Sequence, residues 1–186
     1  MTPSREEALA IVEQYVTDRR LTRHILAAEA VMRALALRLG RDEERWGLAG
    51  LLHDIDIDLV NRDFTLHGSK AGAILAEHGV DGDIIDAVTM HNESWHGKER
   101  TREFQHALAA GDRLTFVIIS VARALPDKML KGVTVDAVME RLHSQRFRTT
   151  PQYANILECE QIGIPLGEFV SICLEAMKAV SDRLGM

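Results

Sequence analysis

The sequence lacks the features that mark several large protein classes. It has only two cysteines among 186 residues, Cys159 and Cys173, and no CxxC pair. We therefore expect neither a disulfide scaffold nor a zinc cluster, and interpret both cysteines as small buried residues of a reducing compartment. No stretch approaches the roughly 18 apolar residues of a membrane span, and the N-terminus, MTPSREEALA, has no apolar signal segment. These absences predict a soluble cytoplasmic protein.

Positive charge is also scarce. The net charge is −6 and the pI is about 5.7, so a broad grip on duplex nucleic acid is not expected. The protein can still bind a small phosphorylated ligand, because a bound metal supplies positive charge locally. The sequence has no P-loop, no GxGxxG after a strand and no pattern typical of a serine or cysteine triad.

Strand-like alternation is missing as well, whereas helical periodicity runs through almost the whole chain. Predicted helices include about 21–39, 42–53, 103–125, 134–147 and 165–184, and Ser4 with Glu7 forms a predicted capping box. We expect an all-α fold, a single bundle of about seven to eight helices. A metal-binding core at about 20–125 would carry the C-terminal helices, about 134–184. The last helix could instead pack on a second subunit, so a homodimer is one option.

Several ionisable residues interrupt faces that should be buried, where an unpaired charge is costly. A lone core histidine is more often a packing residue, and a helix-interior aspartate is usually solvated or capping. Here, however, four histidines and two aspartates spread over five predicted helices of one domain. They are His24, His53, Asp54, His67, His91 and Asp112. So many together predict a metal site.

The residue types suggest which metals would bind. Neutral imidazole with carboxylate suits Fe, Mn, Co, Ni or Zn better than Mg alone. Three ligands could hold one metal, and six could hold two, with a carboxylate bridging them at about 3.5–4 Å. Adjacent helical residues point about 100° apart, so His53 and Asp54 can share a site only where their helix ends or crosses it.

The order His24, His53-Asp54, Asp112 resembles the HD superfamily of metal-dependent phosphohydrolases. "HDIDID" is similar to that superfamily's HDIG signature, with Asp56 in place of the usual small residue. "WGLAGLLHDID", "MHNE" and "LGEFVSICLEAMKAV" resemble predicted HD hydrolases of unassigned substrate. The resemblance implies that His24, His53, Asp54 and Asp112 hold one metal. It also implies that Asp54 bridges to a second metal held by His67 and His91, as in the dinuclear members.

Other polar residues are candidates for binding the substrate or supporting the ligands. Lys70 and Arg113 could each bind a phosphate oxygen, and each could equally be a surface charge. Asn92 and Glu93 follow His91 and could touch substrate or a water on the metal. Asp56 and Asp58 could orient a ligand imidazole or cap the loop. Apart from the ligand set itself, the catalytic candidates are therefore Lys70, Arg113 and Glu93, with Asp54 as the bridging carboxylate.

Three functions fit these residues. The first is hydrolysis of a phosphate ester, of a nucleotide or another small phosphorylated compound, by a metal-activated water. The second is a di-iron oxygenase, because some HD-fold relatives use the same six ligands to activate O₂. The third is a nucleotide-binding sensor without catalysis, which a complete ligand set disfavours.

Overall fold

The computed structural model describes residues 2–92 and 97–186, and these are helices and connecting turns without a β-strand. The α-helices are α1 (Arg5–Tyr15), α2 (Arg19–Leu39), α3 (Glu43–Leu52), α4 (Ser69–Glu77), α5 (Gly82–Met90), α6 (Glu103–Ala124), α7 (Val135–His143), α8 (Gln145–Arg148), α9 (Pro151–Leu157), α10 (Leu166–Ala179) and α11 (Ser181–Leu184). Two 3₁₀ helices cover Leu130–Gly132 and Glu158–Ile162. The all-α prediction is confirmed. In the described ranges, each helix is too short or too polar to cross a membrane.

Local sequence signals fix the ends of helices α1, α2 and α3, which lie around the candidate site. The Ser4 hydroxyl accepts a hydrogen bond from the Glu7 amide, and the Glu7 carboxylate accepts one from the Ser4 amide, which forms the predicted capping box. Gly40 ends α2 in the left-handed conformation, with φ of 66°. Helix α3 ends at Leu52, so His53 and Asp54 leave the helix where both side chains can turn inward.

Helix α2 lies in the centre of the bundle and packs against α3, α6 and α10. Its contact with α3 is very close at Gly50, where an added Cβ would lie 2.5 Å from the Ala28 carbonyl oxygen. Only glycine permits this approach. The close packing of α2 and α3 brings His24, in the second turn of α2, within reach of His53 at the end of α3.

The C-terminal part differs from the expected helices. The helix expected through 147 breaks at Ser144, whose ψ of 138° turns the chain out of the helix. The helix expected from 165 to 184 ends at Ala179, and a separate turn of helix follows. Helix α9 was not predicted, although Thr150 caps it and Pro151 opens it, a combination typical of a helix start.

The apolar face of α10 is buried within the chain against α2 and α6. It comprises Phe169, Val170, Cys173, Leu174 and Met177. Cys159 and Cys173 are both buried and neither forms a disulfide, as expected. Burial raises the pKa of the Cys159 thiol to about 12, so this thiol is protonated and chemically quiet at neutral pH.

Candidate metal centre

The six predicted ligands converge on one buried point between α2, α3, α5 and α6. The first half of this group consists of His24, His53 and Asp112. The Nε2 atoms of His24 and His53 lie 3.0 Å apart. Asp112 Oδ1 lies 2.9 Å from the Nε2 of His24 and 3.4 Å from that of His53. These three residues form a group whose ligand atoms are all mutually within 4.8 Å, which is close enough to surround one ion.

The second half consists of His67 and His91, and Asp54 lies between the two halves. The Nε2 atoms of His67 and His91 lie 3.0 Å apart. Asp54 Oδ1 lies 3.1 Å from His67 Nε2, 3.6 Å from His91 Nε2 and 3.4 Å from His53 Nε2. Its other oxygen lies 3.4 Å from His24 Nε2. Asp54 thus contacts all four imidazoles, as a bridging carboxylate would.

Every histidine presents the same ring nitrogen to the centre, because a neighbour holds the other nitrogen. The Nδ1 of His53 lies 2.8 Å from the Gly50 carbonyl oxygen, and that of His91 lies 2.5 Å from the Val88 carbonyl oxygen. A carbonyl only accepts, so each Nδ1 carries a proton, and the tautomer that this contact favours has its lone pair on Nε2. That lone pair is what a metal requires.

The two remaining histidines are held by side chains. The Thr115 hydroxyl donates to the Asp112 carbonyl oxygen over 2.7 Å, so its oxygen is left to accept from His24 Nδ1, 3.1 Å away. The Nδ1 of His67 donates to Asp56 Oδ1 over 2.6 Å. All four rings therefore have their tautomer set for ligation by a partner outside the centre.

Helix ends add a favourable field. His53 and His91 occupy the C-terminal caps of α3 and α5, and each ring bonds a carbonyl oxygen three residues back in its own helix. Those carbonyls would otherwise lack a partner at the helix end. Because the C-terminus of a helix carries partial negative charge, both helices stabilise a cation at this point.

Charges at the centre are strongly coupled. Burial opposes protonation of His24, but the contacts with Asp112 and Asp54 raise its pKa to about 9. The pKa of His67 also rises to about 9, against burial, through Asp54 and Asp56. Burial, with the neighbouring charges of His67 and His53, lowers the pKa of His91 despite its contact with Asp54.

The two carboxylates remain charged. Burial would raise the pKa of Asp54, but the charge of His53 and the contacts with the other imidazoles hold it well below its usual range. Against burial, Arg113 and the contacts with His24 and His53 lower the pKa of Asp112 in the same way. These buried anions are the groups that a divalent cation would neutralise.

A divalent transition metal fits this donor set. Asp112 Oδ1 is buried, and its nearest polar neighbours among the described residues are the Nε2 atoms of His24 and His53, so a cation bound between these three atoms would satisfy the charged oxygen. Imidazole and carboxylate ligands bind at about 2.0–2.2 Å, which separates neighbouring ligand atoms by roughly 3.0–3.5 Å. The separations here, from 2.9 Å to 3.6 Å, agree with that spacing.

The division of ligands between two metals stays a prediction. His53, Asp54 and His91 also form a group whose ligand atoms lie mutually within 4.8 Å. His53 therefore lies within reach of either half, whereas the resemblance assigned it to the first metal alone.

The neighbouring polar residues have distinct partners. Asp56 is fully buried and its Oδ2 accepts from the amides of Gly68 and Ala71, each over 2.9 Å. It thereby caps α4 while its other oxygen holds His67. Asp58 instead accepts from the Thr17 amide and hydroxyl and tethers the loop before α2.

The sequence suggested that Asn92 could touch substrate or a water on the metal, but in the structure it bonds to backbone carbonyl oxygens. It is buried, and its Nδ2 donates to the carbonyl oxygens of Phe64 and His67 over 2.7 Å and 3.0 Å. It thus ties the segment after α5 to the loop that carries His67. The neighbouring candidate Glu93 lies outside the described residues.

The two cationic candidates differ in their distance from the centre. Arg113 is half-buried, and its Nε lies 3.5 Å from Asp112 Oδ2. Lys70 is exposed in the first turn of α4, and neither Lys70 nor Arg113 is among the residues that line the adjoining cleft. A role for either in binding phosphate stays a prediction.

An open cleft of about 370 Å³ reaches the centre from solvent, with His24 and Asp54 among its lining residues. Three arginines line it, Arg20, Arg62 and Arg123, together with Phe64 and Phe116. Sequence reasoning missed all of these, since they come from separate segments without a shared motif. The one available signal was spacing, because Phe116 follows Asp112 by one turn of α6. In the structure Phe116 is 48% exposed.

The comparisons agree with this geometry. The model of the HD domain family matches residues 21–128, more than half of the chain, from the start of α2 to just beyond α6. The matched segment contains all six predicted ligands. No curated protein and no solved structure matches the chain.

Proposed function

The chain belongs to the HD domain family, and from that premise we propose that it is a metal-dependent phosphohydrolase acting on a small phosphorylated compound. One observation carries the proposal: four histidines and two aspartates lie together in the interior, and two of them, His24 and Asp54, line a cleft that is open to solvent. A purely structural metal site would be closed, whereas catalytic sites keep access for a reactant.

The side chains have separable roles in this proposal. His24, His53, Asp54 and Asp112 would hold one divalent metal, and His67, His91 and Asp54 a second. When bound, the metal would lower the pKa of a water from about 15.7 towards about 7 and offset the charge on phosphate oxygens.

The chain's own contribution is orientation and charge. Asp56, Thr115 and two helix carbonyls hold each imidazole through its Nδ1, so metal binding would need no rotation of the rings. Asp54 faces the cleft, which would let it accept a proton from a reacting water. Arg113, beside Asp112, would add a positive charge close to the developing phosphate charge.

Metal analysis of anaerobically purified protein tests the proposal first. We expect about two metals per chain in the wild type, near zero in His53→Ala and about one in His67→Ala, because His67 serves one half only. His143→Ala removes an exposed histidine on α7 and is the matched control, with unchanged metal content.

The second step is a phosphate-release screen with Mn²⁺ and Fe²⁺, with oxygen uptake recorded in parallel. Hydrolysis that disappears in His53→Ala and survives in His143→Ala supports the proposal. Oxygen consumption by the iron-loaded protein without phosphate release would identify an oxygenase instead. A wild type that binds no metal under any reconstitution would remove both functions.

A further inference from the structure

The cleft beside the metal centre concentrates positive charge in an acidic protein. Arg20 stands at the start of α2, Arg62 lies in the loop between α3 and α4, and Arg123 is near the end of α6. The chain as a whole carries a net charge of −6. Asp18 and Asp54 also line the cleft, but the three arginines outnumber these two carboxylates, whereas carboxylates are in excess in the chain as a whole.

Two of these arginines keep their charge available to a ligand. Arg62 is paired with Asp18, whose Oδ2 lies 2.6 Å from a guanidinium nitrogen. Among the described residues, Arg20 and Arg123 have no carboxylate within ion-pair distance, and both are exposed. Arginine binds phosphate and carboxylate through a planar pair of donors, so these two side chains suit an anion that enters the cleft.

The backbone positions of these two arginines lie beyond the metal centre along their helices. Arg123 follows Asp112 by eleven residues on α6, a rise of about 16 Å along the helix. Arg20 precedes His24 by one turn of α2, about 6 Å along the axis. Both arginines therefore line the cleft from backbone positions beyond the ligands, Arg123 from much farther than Arg20.

Two exposed aromatic rings add an apolar surface to the same cleft. Phe64 is 51% exposed and Phe116 is 48% exposed, although most large apolar side chains of this protein are buried. Phe116 stacks on His24 with ring centroids 4.1 Å apart, and Phe64 meets His67 edge-on at 6.1 Å. The rings thus stand beside different halves of the centre, and each presents an exposed apolar surface at the cleft.

We propose that the cleft selects a small compound that carries two phosphoryl groups and a flat ring. Arg20 and Arg123 bind the phosphoryl group farther from the metals, and the ring contacts Phe64 and Phe116. The volume of about 370 Å³ suits one small molecule of nucleotide size. The proposal rests on the proposed function, because the nearer phosphoryl group is the one at the metal centre.

Four probes separate the two features: adenosine monophosphate, adenosine 3′,5′-bisphosphate, ribose 5-phosphate and fructose 1,6-bisphosphate. Calorimetry on the Mn²⁺-loaded protein gives the affinities, and phosphate release is measured in the same samples. We expect the adenosine bisphosphate to bind about tenfold more tightly than the monophosphate, since a charge-assisted contact contributes about that factor. Each adenosine compound should also bind more tightly than the sugar with the same number of phosphates.

The variants assign each preference to its residues. Arg20→Gln combined with Arg123→Gln should reduce the bisphosphate preference to below about twofold while leaving monophosphate affinity within about twofold, because only the second phosphoryl group loses its partners. Phe64→Ala should reduce the preference for the adenosine ring and keep the preference for two phosphates. Arg146→Gln, an exposed arginine on α8 outside the cleft, is the matched control and should change neither. Raising the salt concentration should weaken the bisphosphate preference in the wild type.

The outcomes distinguish this proposal from the proposed function. Equal binding of mono- and bisphosphate by the wild type overturns it, as does a double variant that keeps the preference. An equal loss of monophosphate and bisphosphate affinity also overturns it, since the arginines would then bind the nearer group. Phosphate release without any such preference leaves the phosphohydrolase standing and removes the selectivity. Arginine-dependent preference without phosphate release supports the selectivity and removes the hydrolase.

Discussion

Replacing Asp56 with asparagine should weaken the second metal position and leave the first intact. The carboxylate accepts three hydrogen bonds, from His67 Nδ1 and from the amides of Gly68 and Ala71. Asparagine has the same shape but offers one acceptor and one donor. If its NH₂ faced the two amides, two buried donors would lose their acceptor, at about 1–3 kcal/mol each.

The cheaper arrangement keeps the asparagine oxygen on the amides and turns its NH₂ towards His67. The imidazole must then accept at Nδ1, which moves its proton to Nε2, the atom that would bind metal. Restoring the binding tautomer breaks that new hydrogen bond, at about 1–3 kcal/mol. We therefore expect the second metal to bind about 10- to 100-fold more weakly. The free energy of unfolding should fall by only about 1–3 kcal/mol, as charge-assisted bonds become neutral.

Equilibrium dialysis against a series of Mn²⁺ concentrations, with metal counted per chain, measures both positions, and urea unfolding measures stability. Asp58→Asn is the matched control. All its donors, which include the Thr17 amide and hydroxyl, point to one oxygen, so the amide oxygen can replace it. The reasoning is refuted if Asp56→Asn retains wild-type affinity at both positions, or if both positions weaken equally.

Three further predictions concern packing, protons and metal removal. Gly50→Ala should destabilise the fold by about 2–4 kcal/mol in urea unfolding, since its Cβ would lie 2.5 Å from the Ala28 carbonyl oxygen, whereas Gly82→Ala, with open space around it, should change stability by less than about 1 kcal/mol. His24 and His67, with pKa raised to about 9, carry protons at pH 7 and must release them to bind metal. Metal affinity should therefore rise with pH up to about 9 and level off above it. Calorimetry in buffers of different ionisation enthalpy should detect the released protons. If no protons are released at pH 7, the protonated state of these two histidines is contradicted. Chelation should lower Tm by about 5–10 °C relative to protein at a metal concentration of about 100 times the Kd, and an unchanged Tm would show that metal does not stabilise the folded state.

The fold class and the clustering of the six candidate ligands could be predicted from the sequence, because residues on a buried helix face recur with the period of the helix. His24 and Asp112 interrupt apolar stripes that a helix must bury, and this pattern is visible without coordinates. The adjacent pair His53-Asp54 required a helix end, and α3 does end at Leu52. Gly40, by contrast, marks only a helix end, so it carries no information on the site.

The cleft could not be predicted in the same way. Arg20 and Arg123 are exposed, and an exposed arginine follows no periodicity that differs from ordinary surface charge. Their common location depends on how the start of α2 meets the end of α6, a tertiary contact that no local pattern encodes. The break at Ser144 was missed for a related reason, because a single extended residue ended a helix whose apolar spacing continued beyond it.

Asp56 shows how a departure from a motif can be explained by the surrounding structure. The HDIG signature has a small residue where this chain has a fully buried aspartate, and such a charge is costly unless it is paired. The N-cap of α4 is Gly68, which has no side chain, and the Asp56 carboxylate accepts from the Ala71 amide, which a capping side chain would bind, and from the Gly68 amide. The same carboxylate fixes the tautomer of His67. Asp56 therefore links the cap of α4 to the orientation of the candidate ligand His67, so α4 cannot shift at its start without also moving His67.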